Sequence, residues 1–306
     1  MVTMELTEDQ LEKLVAPQAA PRTYELLYSL VRYRLFFWYQ GGGPTKGTTK
    51  RILGVTVGGH RLWSHRSFKA KMPLQILLII MKSVAGQFTA FIWARNHRMH
   101  HRYSDTDADP HNSARGFFFS HIGWILVKKH PEVIRRGKFI DMSDIYANPV
   151  VMFQKKYAIP FIISICFLFP TIIPIYFWGE TFNNAWHLVM LRWTMGVHIA
   201  STVNSVAHLV GSRPYDKNIM PANNLIANIL TLGEGFHNYH HVYQWDYRAA
   251  ELGNNFFNIS TKFIDFFAWV GWAYDLKTVP VDVAKARSVR TGDGSVNTVK
   301  ANSASL

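Results

Sequence analysis

Three histidine clusters lie far apart in this chain, and they limit its possible folds more than any other feature. They are His60 and His65 in HRLWSH, His97, His100 and His101 in HRMHH, and His237, His240 and His241 in HNYHH; His208 in NSVAH makes a ninth. On a helix, residues three and four apart share a face, so HxxHH presents two ring nitrogens to one side and a third slightly around the cylinder. One short helix can therefore serve two neighbouring metals. A single cluster reads equally well as surface or core histidines. Three in series beside apolar segments read differently, because each buried polar ring without a partner costs roughly a few kcal/mol. The zinc-protease pattern HExxH is absent, and imidazoles suit Zn, Cu, Fe or Ni, so ligand type alone does not choose the metal. Nine candidate ligands exceed the four of a structural zinc site and suit a binuclear centre with open positions.

The surroundings of the clusters are apolar. Of 306 residues, 48% are hydrophobic and only 17% charged, against about 25% charged in an ordinary soluble domain. The net charge of +13 suits anionic lipid headgroups or an acidic protein partner, and the apolar runs argue against nucleic acid. Tyr157–Trp178 and Trp186–Val210 each reach the roughly 20 residues of a spanning helix. Their link, GETFNNA, carries no Lys or Arg, whereas Ala94–Lys156 is rich in both and so reads as cytoplasmic. The pair predicts a hairpin that enters and leaves from the cytoplasm. Pro160, Pro170 and Pro174 in its first limb are tolerated in a membrane, where neighbouring groups satisfy freed carbonyls.

Leu74–Trp93 is a third apolar run, interrupted by Lys82. A single crossing there would put the first two clusters on opposite faces, so it is predicted to be buried in the cytoplasmic domain or to lie at the interface. Leu26–Gln40, which contains Arg32 and Arg34, and Ile52–Gly59 are both too short to span. The acidic, polar N-terminus lacks the pattern of a signal peptide. The polar residues 281–306 predict a disordered tail. The lone Cys166 excludes an intrachain disulfide and reads as a small core or lipid-facing residue.

With these segments in view, HRLWSHRSFKAK, HRMHHRYSDTDADPHN, RGFFFSHIGW, KKHPEV, NPVVMFQKKY, RPYDKNI and GEGFHNYHH resemble the animal stearoyl-CoA type desaturases, most closely those of insects. The resemblance runs from about Gly54 to Asp275. It implies an all-α integral membrane protein whose helical cytoplasmic cap holds a histidine-ligated di-metal centre. The implied activity is removal of two hydrogens from the mid-chain of a fatty acyl-CoA, using O2, two iron ions and electrons from cytochrome b5 and its reductase. The implied location is the endoplasmic reticulum membrane, multi-pass, with the catalytic face and both termini cytosolic.

Carried over by motif, the resemblance gives the first iron to His60, His65, His97, His101 and His241. The second goes to His100, His208, His237 and His240, with Asn204 reaching it through water. Arg95, Asn96, Lys128 and Lys129 match positions around the CoA head, and Trp93 and Gln87 match the acyl entrance. His111, His121, His130, His187 and His198 are read as structural, and Asp105, Asp107 and Asp109 as organisers of their loop and of the groups behind the metal ligands. The expected units are a polar N-terminus with a truncated or replaced first membrane hairpin (1–50), a desaturase domain (51–280, hairpin about 157–210) and the tail (281–306).

Departures from the family pattern are GGGPTKGTTKR in place of most of the first hairpin, Asn96 for Asp, and IASTVN at Ile199–Asn204 without its usual tryptophan. Tyr243 and Gln244 replace Phe-Pro. A related fatty acyl hydroxylase and an inactive isoform lacking the first hairpin are the alternatives.

Overall fold

The computed structural model describes residues 52–250 and 258–295. Expectations for residues 1–51, including the shortened first hairpin, and for 296–306 lie outside these. The described residues are mainly helical, with one two-stranded antiparallel sheet pairing Lys69 with Tyr274 and Ala70 with Ala273.

Helices Met72–Ala85 and Ala90–Tyr103 both pack on Gly54–Ser64. Pro73 opens the first of them, and Gly86, at φ +63°, closes it in the left-handed conformation that glycine adopts freely. Thr89 then caps the next helix by accepting from the Ile92 N–H at 3.2 Å. The two axes meet at 83°, so Leu74–Trp93 is a bent pair rather than one straight helix. His65 and His97 accordingly lie on the same side, with their Nε2 atoms 2.8 Å apart. A core of Val57, Leu78, Ile79, Ala94, Val151 and Ile264 fills the angle.

Ala158–Trp178 is long and apolar enough to cross a bilayer, and most of its side chains face outward. Its partner, Phe182–Leu209, is longer but does not meet the same criterion of apolarity. Asn183, Asn184, His187, Arg192, His198 and Asn204 lower its hydropathy. The second limb is therefore less lipid-like than the run Trp186–Val210 predicts.

The limbs are tied at a specific weak point. Pro170 denies the helix a donor and crowds the carbonyl four residues earlier, which belongs to Cys166. The turn widens over Ser164–Leu168, and the Arg192 guanidinium donates to that carbonyl from the other limb. Cys166 itself is buried.

The expected disorder from 281 onward is corrected for the described part. Val281–Thr291 is a helix. Its Arg287 pairs with Asp216 at 2.6 Å, Thr291 donates to the Tyr215 carbonyl at 2.6 Å, and Lys217 N–H donates to the Thr291 carbonyl at 2.9 Å. Polar composition misleads here because the partners of those side chains lie some 70 residues away in sequence.

Candidate metal centre

His60 and His65 are five residues apart, a separation that an ordinary α-helix splays around its cylinder. Gly54–Ser64 is wound in wider turns, and His65 N–H donates to the His60 carbonyl at 3.1 Å. The i to i+5 spacing thereby becomes one turn, and the two rings sit 4.8 Å apart. Arg98 locks the second box to the end of this helix, donating to the Trp63 carbonyl at 2.6 Å and the Ser64 carbonyl at 3.0 Å. These are carbonyls that a helix C-terminus leaves without internal partners.

The third box is set by Asn238. Its side chain accepts from Tyr215 N–H at 2.8 Å and donates to the Pro221 carbonyl at 2.9 Å, fastening His237–Val242 to the RPYDKNI loop.

The nine imidazoles converge in two groups. His60, His65, His97, His101 and His240 form one; His100, His208, His237 and His241 form the other, and in each group the ligand atoms all lie within 4.8 Å of one another. The two HxxHH boxes are used in opposite senses. His97 and His101, four apart, serve the first group and His100 the second, whereas His237 and His241 serve the second and His240 the first. The expected places of His240 and His241 are thus exchanged. The i, i+4 relation keeps His241 beside His237 (Nε2 to Nε2 3.1 Å), and His240, around the cylinder, meets His60 at 2.8 Å and His101 at 3.0 Å.

Carboxylates hold the opposite ring nitrogens. Glu234 lies 2.6 Å from His60 Nδ1, Asp109 2.8 Å from His100 Nδ1, and Asp105 3.1 Å from His208 Nδ1. Each contact fixes the ring and leaves Nε2 for a metal. Burial alone would raise the Glu234 carboxyl, but the Arg61 guanidinium at 2.8 Å and His60 hold it below the usual range. Burial, then neighbouring imidazoles, pushes His65, His97, His101, His237, His240 and His241 well below 6.5. These rings are neutral, the form that binds metal. The donor set and its carboxylate supports fit a pair of metal ions.

Sequence reasoning missed Glu234 and Arg61. The available signal was an acid three residues before His237 in GEGFH and an arginine inside the first box. Asp105 and Asp109 contact ligating rings, as organisers of the groups behind them would, while Asp107 lines a groove outside the cluster. His111 lies 4.3 Å from His100, ring to ring, and its Nδ1 has no hydrogen-bond partner among the described residues. Asp109, rather than His111, orients His100.

A cavity of about 390 Å³ runs from His60, His97 and His237 to the bend Gly86–Phe88 and the middle of Phe182–Leu209. Its lining is largely apolar, as small-molecule sites are. Gln87, Trp93, Asn96 and Asn204 line it, as do Ile199, Ala200 and Ser201 of the departing IASTVN stretch. Lys128 and Lys129 line a smaller groove beyond Trp124, a residue common to both spaces. Lys129 Nζ reaches Asn96 Oδ1 at 3.3 Å. Burial and the nearby Arg95 lower its ammonium pKa. Arg95 lines neither space and stands against the Gly137 turn. Tyr243 also lies away from the cavity, packed on Tyr215 and Tyr239.

The fatty acid desaturase family model matches residues 47–249. The chain is 56% identical to an acyl-CoA Delta(11) desaturase of Spodoptera littoralis, over 95% of this chain and 91% of the relative. It is 57% identical to an acyl-CoA Delta-9 desaturase of Acheta domesticus (79% and 68%) and 53% identical to stearoyl-CoA desaturase 5 of Bos taurus (79% and 72%).

Proposed function

The chain belongs to the fatty acid desaturase family, and on that premise we propose that it introduces a double bond into the mid-chain of a fatty acyl-CoA. The observation that carries this reading is the convergence of nine imidazoles, five buried and four half-buried, beside a mainly apolar cavity. The metals are two iron ions, one held by His60, His65, His97, His101 and His240, the other by His100, His208, His237 and His241. Asn204, one helical turn before His208 on the cavity wall, reaches the second through water. When bound, such a pair supplies oxidation of an unactivated methylene by O2, with electrons from cytochrome b5 and its reductase.

The chain's own residues place and protect that chemistry. Glu234, Asp105 and Asp109 aim the rings. Trp93 stacks on His97, with ring centres 4.8 Å apart, and the apolar walls exclude water around the acyl chain. Lys128 and Lys129 offer cations to the CoA phosphates, with Arg95 behind Lys129, Asn96 beside it and Gln87 and Trp93 along the acyl path. Ala158–Trp178 and Phe182–Leu209 anchor the protein as a hairpin in the endoplasmic reticulum membrane, the cap facing the cytosol, within a desaturase domain of about 51–280.

The test is expression in yeast lacking its own desaturase. Growth without added unsaturated lipid and new double bonds in cellular fatty acids are expected, and their position assigns the Δ9 or Δ11 type. An added oxygen atom in the acyl chain would instead identify a hydroxylase, and purified protein without bound metal an inactive isoform.

A further inference from the structure

Lys82 is the charge that interrupts the apolar run before the second box, and its side chain is fully buried. It leaves the last turn of Met72–Ala85 and donates to the carbonyls of Gln87 and, at 3.2 Å, Phe88. Its ammonium also stands 6.0 Å from the centre of the Trp93 ring. The segment it grips is the bend between the two helices, where Gly86 and Phe88 both have positive φ, +63° and +56°. Phe88 adopts that conformation without the freedom of glycine, so its surroundings must impose it.

Two further contacts hold the bend from the hairpin side. Trp193 Nε1 donates to the Gly86 carbonyl at 3.3 Å, and Gln87 Nε2 donates to the Gly196 carbonyl at 3.1 Å. Gly86, Gln87 and Phe88 form one wall of the cavity, and the Phe88 ring meets Trp124, 5.9 Å between centres, where the cavity adjoins the basic groove. His60, His97 and His237 line the same cavity. A rigid wall at this place sets the path of a chain to the metals.

We propose that Lys82 is a positioning residue which, through the Gln87 and Phe88 carbonyls, fixes the cavity bend and so selects the methylenes presented to the metal centre. This rests on the desaturase reading above. An apolar side chain of similar size fills the space but has no donor for those carbonyls, leaving the bend free to shift. A displacement of about 1 Å is enough to change reaction at a given carbon by roughly 10²-fold.

The experiment expresses the full chain and Lys82→Met, Lys82→Leu and Lys82→Arg in yeast lacking its own desaturase. It measures the positions of new double bonds across acyl chain lengths, and bound metal in the purified proteins. Lys82→Met and Lys82→Leu, holding metal as the unsubstituted chain does, are expected to change the ratio of positional or chain-length products by about tenfold or more. Lys82→Arg, which keeps donors, changes it less. Unaltered product ratios in a metal-bearing Met or Leu variant overturn the proposal. Loss of metal by both also overturns it, by making Lys82 a requirement of the fold alone. If the unsubstituted chain forms no unsaturated product, the desaturase reading fails and takes this one with it; active variants with unaltered ratios sink only the role of Lys82.

Discussion

Glu234 shows how much one side chain outside the histidine boxes decides. It faces His60 on one oxygen and Arg61 on the other, and all three are buried. Glu234→Gln keeps the shape but removes the charge, leaving Arg61 buried without its counter-ion. Metal affinity is expected to fall about 10–100-fold, with a loss of stability of up to about 3–5 kcal/mol. Metal titration and thermal unfolding in detergent check both. The neutral rings also set a pH dependence. Their folded pKa values lie below 6.5, so below about pH 6.5 the unfolded chain binds more protons and stability falls with acidification. The His100–Asp109 pair works in the opposite sense, since Asp109 raises the imidazole against burial, but it is one pair against six rings. Melting temperature and bound metal are therefore expected to drop between about pH 7.5 and 5.5; a flat profile contradicts this.

At the scale of elements, the site depends on close packing of the first-box helix on Met72–Ala85. A Cβ added at Gly54 would lie 2.3 Å from the backbone nitrogen of Lys82 and 2.3 Å from the carbonyl carbon of Met81. Backbone cannot turn aside as a side chain can. Gly54→Ala is expected to push the helices apart and cost about 1–3 kcal/mol, read as a lower melting temperature together with weaker metal binding, because His60 rides on the same helix. An unchanged melting temperature would mean that the helices separate without loss. The bend at Gly86–Phe88 is the complementary case, where the chain must turn sharply for the second box to come back beside the first. The sequence announces it through Gly86 and the Thr89 cap, but an 83° angle is set by the packing on either side.

For the whole molecule, one outward-facing apolar helix fits a membrane protein, and on the proposed hairpin it is held by lipid rather than merely bound to its surface. It is expected to stay in the pellet after an alkaline carbonate wash and to need detergent for release, because burial of an apolar span is not undone by charge. Release by the wash would contradict this. The sequence by itself marked nine histidines as candidates to meet, because convergence gives so many rings partners. It also determined that Leu74–Trp93 does not run straight across a bilayer, since a crossing would separate the first two boxes. Tertiary structure alone decided how the rings divide. His240 and His241 exchange sides because the rotation of a short helix is fixed by its packing, here by Asn238 in the RPYDKNI loop, and composition carries no record of rotation. It also decided that Glu234 faces His60, which imidazole each of Asp105 and Asp109 meets, and that Val281–Thr291 folds onto Tyr215 and Asp216. Those partners lie in other segments of the chain, and no local pattern encodes which of them will meet.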